Sequence, residues 1–267
     1  MDARRTAETL LLLRDQKPIV HSLVGAGAAE CTAAMLQAVG ARPILGQGLD
    51  EAEDLATIAS ALIASLQMPS SERLASIRLA TREAREVEIP WVLEVHGLDH
   101  SSSRTSFAMD ILQNKPSVVK GTSAEIMTLA KQARLAKRSV ELEAKFTESA
   151  IEPGRLLADA TGNVVAITGY TDYVTDGERT MRIDCGDAMQ SCIPGLSTGL
   201  AALMAAFLSV ERDRMTAAVH ALSIVNVAGE LAGVETNGPG SFRAQFLDRL
   251  YDLNHTGIAS RLKVAAA

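Results

Sequence analysis

Three stretches of this sequence join an apolar run to a glycine-bearing polar turn: VVKGTSAE (118–125), VVAITGYTDYVTDG (164–177) and IPGLSTGL (193–200). In the first two, the β-branched run reads as a strand that brings its carboxyl end to the edge of a parallel sheet. The glycine there lets backbone N–H groups approach an anion with no Cβ in the way. The third opens a long apolar helix at Gly195. The first N–H groups of a helix lack partners within it and lie at the positive end of its dipole, where a phosphate is held best. Together the three turns read as an ATP-phosphate site.

Turns of this kind work only if strands carry them to one edge, and the rest of the chain supplies such strands. Residues 3–16 read as an amphipathic helix with Leu10, Leu11 and Leu13 on its apolar side; PIVHSLV (18–24) is extended, and an alanine-rich helix covers 27–39. A short strand ends near Leu45, an acidic first helical turn at 50–54 suits the helix dipole, and a buried strand follows at 62–66. The unit then repeats: Ser70 or Ser71 caps a helix, Pro90 stops continuation, and WVLEV and SVVK are strands. This alternation predicts an α/β fold with a mostly parallel central sheet and helices on both faces. After Gly177 the pattern changes, and ERTMRID pairs with DYVTDG through the Asp176-Gly177 turn as a hairpin. From Gly195 onward the pattern is almost wholly helical, with apolar stretches at 200–210, 215–233 and 242–253.

Composition narrows the function classes. The chain has 267 residues, 47 % of them hydrophobic, and no internal repeat or linker, so 1–267 reads as a single domain. A formal charge of −6 lacks the basic excess of a nucleic-acid binder, and the basic run KQARLAKR (131–138) reads as a solvated helix face. The three cysteines, Cys31, Cys185 and Cys192, show no C-x-x-C spacing, which argues for reduced thiols used in packing. The leucine run near the start is too short for a signal peptide and is followed at once by Arg14 and Asp15. No segment approaches the ~18 continuous apolar residues of a membrane span, so the expectation is a cytoplasmic protein without membrane partners.

Taken in order, the blocks KPIVHSLV, LQAVGARPIL, AEDLATIASALIASL, IPWVLEVHG, VVKGTSAEI, AITGYTDYVTDGERTMRI and GPGSFRAQFLDRLYDL resemble the hydroxyethylthiazole kinase family of the ribokinase-like superfamily, over about 17–253. The resemblance implies transfer of the γ-phosphate of ATP to the hydroxyl of 4-methyl-5-(2-hydroxyethyl)thiazole with Mg2+, in a homotrimer with substrate between subunits. It implies ATP contacts at Lys120, where the family usually has arginine, and at Thr168 and Gly169, with Asp172, Tyr173, Asp176 and Gly177 in the hairpin that follows. Glu94, where the family has aspartate, and Glu125 are the implied metal residues, although Thr122 stands where an asparagine is usual. Leu45, in place of a methionine, and Gly195 are the implied substrate contacts.

The same resemblance marks departures. The family turn Gly-Thr-Gly-Cys becomes Gly195-Leu196-Ser197-Thr198, which puts Thr198 at the catalytic position, where a hydroxyl positions the acceptor alcohol but is not itself a base near neutral pH. On that reading a base restored there, cysteine or aspartate alike, raises kcat. The polar loop after His21 becomes Ser22-Leu23-Val24-Gly25-Ala26-Gly27, Glu30 replaces an asparagine, and His96 follows Glu94 as a further candidate base. Three readings stand side by side at this point: the thiazole kinase, a catalytically impaired relative that retains nucleotide binding, and a kinase for another small heteroaromatic alcohol.

Overall fold

The computed structural model describes residues 2–135 and 147–267. In chain order these are α1 (Ala3–Gln16), β1 (Ile19–Leu23), α2 (Ala26–Ala38), β2 (Arg42–Ile44), α3 (Ala52–Ile58), β3 (Ala61–Ser65), α4 (Ser71–Glu86), β4 (Trp91–Glu94), α5 (Ser102–Ile111), β5 (Val118–Thr122) and α6 (Ser123–Gln132). There follow α7 (Ile151–Thr161), β6 (Val164–Thr168), β7 (Asp172–Thr175), β8 (Thr180–Ile183), α8 (Leu196–Leu208), α9 (Arg214–Gly233), α10 (Pro239–Asp252), α11 (His255–Arg261) and β9 (Val264–Ala266).

The strands form one nine-stranded sheet in the order β2-β1-β3-β4-β5-β6-β7-β8-β9. The run from β2 to β6 is parallel, and β7, β8 and β9 continue it antiparallel. Successive strand residues face opposite sides, as the pleat requires. Ile63, Val92, Val118 and Val164 belong to the core beneath α1, α2, α8, α9 and α10, whereas Leu62, Leu93, Val119 and Val165 belong to the core beneath α3 to α7. Burial on both faces explains why these strands are continuous apolar runs. Each parallel crossover is a helix, so every strand from β1 to β6 releases its chain at the same edge, and the turns identified from sequence converge there.

Several details differ from the sequence reading. Leu11 is 62 % exposed while Leu10 and Leu13 are buried, so the apolar stripe of α1 is narrower than its leucine run. The chain does not end in helix: β9 pairs with β8, its register set by Ile183↔Val264. Helix α9 is long and apolar enough to cross a membrane, but 89 % of its apolar window is buried, and it is a core helix. Cys192 is exposed, whereas Cys31 and Cys185 are buried, with thiols pushed by that burial up to about 11. Part of the basic run 131–138 lies outside the described residues.

Candidate active site

The strand ends bring together residues that are far apart in sequence. In the parallel pairing of β4 with β5, Glu94 lies beside Lys120, and the Lys120 ammonium donates to Glu94 Oε1 at 3.0 Å. The pair is 1 % and 2 % exposed. Ser65, at the end of β3, donates to Glu94 Oε2 at 2.6 Å, and Ser197 donates to Oε1 at 3.2 Å. Lys120 also donates to the Ser197 carbonyl at 3.2 Å and to its hydroxyl oxygen. The Thr198 hydroxyl, 1 % exposed, bonds the same carboxylate. Burial alone raises the Glu94 carboxyl, but the Lys120 ammonium and the hydrogen bonds of Ser65, Thr198 and Lys120 outweigh it and hold the group below the usual carboxylate range. Lys120, Glu94 and Thr198 therefore form a closed floor, with Ser197 exposed above it.

Gly195 starts α8 with φ of +82°, and a Cβ there would lie 2.8 Å from the Ala28 Cα. Glycine is thus required twice, for the left-handed backbone and for the close approach of α8 to α2. The helix opens next to the Lys120–Glu94 pair because Ser197, in its first turn, is bonded to both.

Thr168 ends β6 beside Thr122 and donates to the Gly121 carbonyl at 3.4 Å. The exposed Gly169 donates its N–H to Asp172 Oδ1 at 3.0 Å. Asp172 is buried, and its Oδ2 accepts from Asn226 Nδ2 at 2.7 Å. Asn226 Oδ1 accepts from Gln190 Nε2 at 3.3 Å, and Gln190 Oε1 accepts from the Asp187 N–H at 2.7 Å. Burial pushes the Asp172 carboxyl up to about 6, against the lowering hydrogen bonds from Asn226 and Gly169 and the charge of Lys120. This relay joins the loop after β6 to the segment that leads into Gly195. Sequence reasoning named Asp172 but missed Ser65, Asn226 and Gln190, whose roles arise from contacts between distant elements and carry no local motif.

The implied metal residues have other commitments. Glu125 is the N3 residue of α6 and closes a capping box with Thr122, Oε2 accepting from the Thr122 N–H at 2.8 Å and from its hydroxyl at 3.0 Å. Its Oε1 accepts from the Gly97 N–H at 2.7 Å. Glu94 is already neutralised by Lys120. His96 Nδ1 is 3.9 Å from Glu125 Oε1, with a half-exposed side chain and no hydrogen bond from its ring among the described residues. Among those residues no three His, Cys, Asp or Glu side chains gather as a metal cage. The donor set does not fit a directly ligated magnesium ion, which needs free oxygens in a near-ideal octahedron.

Leu45 lies just past β2, 36 % exposed. Next to it the Gly46 carbonyl bonds His21 Nε2 at 2.8 Å, and His21 is fully buried, its pKa lowered by that burial. This hydrogen bond holds the loop after β2 against β1, beside the loop 22–27. The residues that the resemblance implies as nucleotide contacts and as acceptor contacts thus occupy one edge of the sheet, with the Lys120–Glu94 cluster between them.

Residues 10–256 match the hydroxyethylthiazole kinase family. A hydroxyethylthiazole kinase from Granulibacter bethesdensis is 39 % identical over 250 residues, covering 94 % of this chain and 90 % of that protein. The structure of a hydroxyethylthiazole kinase protein from Pyrococcus horikoshii OT3 superposes with a TM-score of 0.90 at 30 % identity, covering 99 % of each chain. A Staphylococcus aureus pyridoxal kinase with AMP-PCP and pyridoxal shares the fold alone, with a TM-score of 0.63 at 14 % identity over 94 % of this chain and 98 % of that one.

Proposed function

The chain belongs to the hydroxyethylthiazole kinase family, and we propose that the edge around Lys120 and Glu94 is where it moves the γ-phosphate of ATP onto the hydroxyl of 4-methyl-5-(2-hydroxyethyl)thiazole. The observation that carries the assignment is the meeting of three features at one edge. These are the Lys120 cation beneath Ser197, the open start of α8 at Gly195, and the exposed Gly169 after β6. Phosphoryl transfer asks a protein mainly to position its reactants and to neutralise phosphate charge, and these groups do that.

In this reading Thr168 and Gly169 hold the nucleotide, and the start of α8 receives the transferring phosphate. Lys120 acts from beneath as a point charge, with the Ser197 hydroxyl as the group in contact. The Thr198 hydroxyl donates a hydrogen bond to Glu94, an acceptor-only carboxylate, which leaves its own lone pairs to accept a hydrogen bond from the acceptor alcohol. Thr198 is therefore an orienting group. Leu45 and Gly195 border the acceptor.

Magnesium would enter with ATP in this proposal, since Glu94 is paired with Lys120 and both Glu125 oxygens are held by backbone N–H groups. The chain is read as one domain working in the cytoplasm as a homotrimer. Leu45, Leu49 and Met68, exposed beside the acceptor loop at 36 %, 42 % and 67 %, are the apolar surface that a neighbouring subunit would cover.

Coupled ATP consumption with hydroxyethylthiazole tests the activity, and calorimetry with a non-hydrolysable ATP analogue tests the site. Lys120→Ala is expected to weaken the analogue about 10- to 100-fold, because it removes the cation beneath the phosphate and leaves the Glu94 carboxylate uncompensated there. Unchanged affinity removes Lys120 from the site. Sedimentation gives the subunit number, and a monomer at micromolar concentration would overturn the trimer.

A further inference from the structure

Arg73, in the first turn of α4, is the only arginine among the buried described residues, at 7 % exposure. Farther along the same helix Arg78 and Arg82 pair with Asp110 and Glu53. Arg73 has no such partner among the described residues: one Nη2 donates to the Gln67 carbonyl, and Nε is buried with nothing to bond. Gln67 Oε1, close by, is also buried without a partner. Burial lowers the Arg73 pKa and the nearby Arg104 cation lowers it further, so the surroundings add positive charge. A guanidinium keeps its proton in such a place, and a buried cation without a counter-charge is unfavourable. A water molecule can satisfy Nε but does not neutralise the charge.

The position relates this charge to the acceptor loop. A Cβ on Gly25 would stand 3.0 Å from the Gln67 carbonyl oxygen and 3.2 Å from Arg73 Nη1. The guanidinium therefore occupies space that the missing Gly25 side chain leaves free. The loop 22–27 carries no charged side chain of its own, and the structure places a cation against it.

We propose that Arg73, admitted by Gly25 and steadied by Gln67, is an anion subsite in the acceptor pocket, so that the preferred acceptor is a small heteroaromatic alcohol carrying a carboxylate. This rests on the kinase reading of the same site. One uncompensated guanidinium calls for one negative charge, and its planar fork suits a carboxylate.

The test is calorimetry on the full chain without nucleotide, comparing hydroxyethylthiazole with a ring-carboxylated counterpart, followed by ATP consumption with each. Wild type is expected to bind the carboxylated compound at least tenfold more tightly. Arg73→Gln should cut that ratio at least tenfold, and Arg73→Lys should keep most of it. Equal or weaker binding of the carboxylated compound by wild type overturns the subsite even if Arg73→Gln does not fold, and a ratio unmoved by Arg73→Gln overturns it too. Tight binding of the carboxylated compound with no phosphorylation of either would instead remove the kinase reading and leave the subsite standing. Phosphorylation of the neutral alcohol with no preference would do the reverse.

Discussion

Lys120→Met removes one half of a pair that is 2 % and 1 % exposed and keeps the length of the side chain. Glu94 then remains buried with only the hydroxyls of Ser65, Ser197 and Thr198 around it. Breaking a buried pair from one side costs about 3–5 kcal/mol, because the remaining charge is uncompensated. For a chain of 267 residues, at about 2 °C per kcal/mol, the melting temperature at pH 8 falls by roughly 6–10 °C. The sign with pH follows from the carboxyl. In wild type it is held below its ordinary value, so its contribution is present at neutral pH and lost as pH falls through the folded value. In Lys120→Met burial prevails and raises it, so the penalty is full above the raised value and disappears in acid. The two proteins should converge in stability as pH falls. Adding Glu94→Gln should restore most of the loss at pH 8, with a coupling energy above about 2 kcal/mol by thermal and denaturant unfolding. A fall of less than about 2 °C, or additive single costs, would refute the claim that these residues act as one pair.

Three further outcomes follow from the same contacts. Thr198→Cys is expected to melt within about 2 °C of wild type, whereas Thr198→Asp sets a second carboxylate against Glu94 and should lose several degrees by scanning fluorimetry, a like-charge penalty of about 2–4 kcal/mol. His220 is fully buried between α9 and α1, its Nδ1 3.0 Å from Thr6 Oγ1, and burial pushes it down to about 4. The unfolded chain therefore takes up the proton first, stability is lost as pH falls from the ordinary histidine value toward 4, and His220→Gln should flatten that loss by about 2 kcal/mol in urea titrations at pH 7 and 4.5. Asn226→Asp faces the Asp172 oxygen, now 2.7 Å from an amide, with a second carboxylate, and binding of the ATP analogue should weaken at least tenfold more between pH 6 and 8 than in wild type.

What the sequence made legible was whatever local pattern decides. Alternation of helix and apolar strand fixed the parallel sheet, and the Asp176-Gly177 turn fixed the β7–β8 hairpin, where Asp176 accepts from the Glu178 and Arg179 N–H groups. Strand β9, by contrast, is Val-Ala-Ala, with little strand propensity of its own, and exists because β8 offers it an open edge. Glu94 and Lys120 were visible as charged residues at strand ends, but their pairing depends on the register of two parallel strands joined through α5, which no local spacing reveals. Arg73 carries no signal in the sequence beyond its place in the helix capped at Ser70 or Ser71, and nothing in its neighbourhood announces that its guanidinium turns inward toward Gly25.

Residues 94, 120, 197 and 198 look independent when each is met in turn along the sequence. In the fold all four belong to one hydrogen-bonded cluster. The Lys120 ammonium lacks the bidentate fork of a guanidinium, yet it meets both the Glu94 carboxylate and the Ser197 hydroxyl. Thr198 supplies a further donor to that carboxylate. A buried charge tolerates changes around it only if the set of donors and acceptors stays complete. Among the described residues no buried polar atom of these four side chains is without a partner. The floor of the site is therefore better understood as one mutually dependent unit than as four separate residues, and a change at any one of them is felt by the other three.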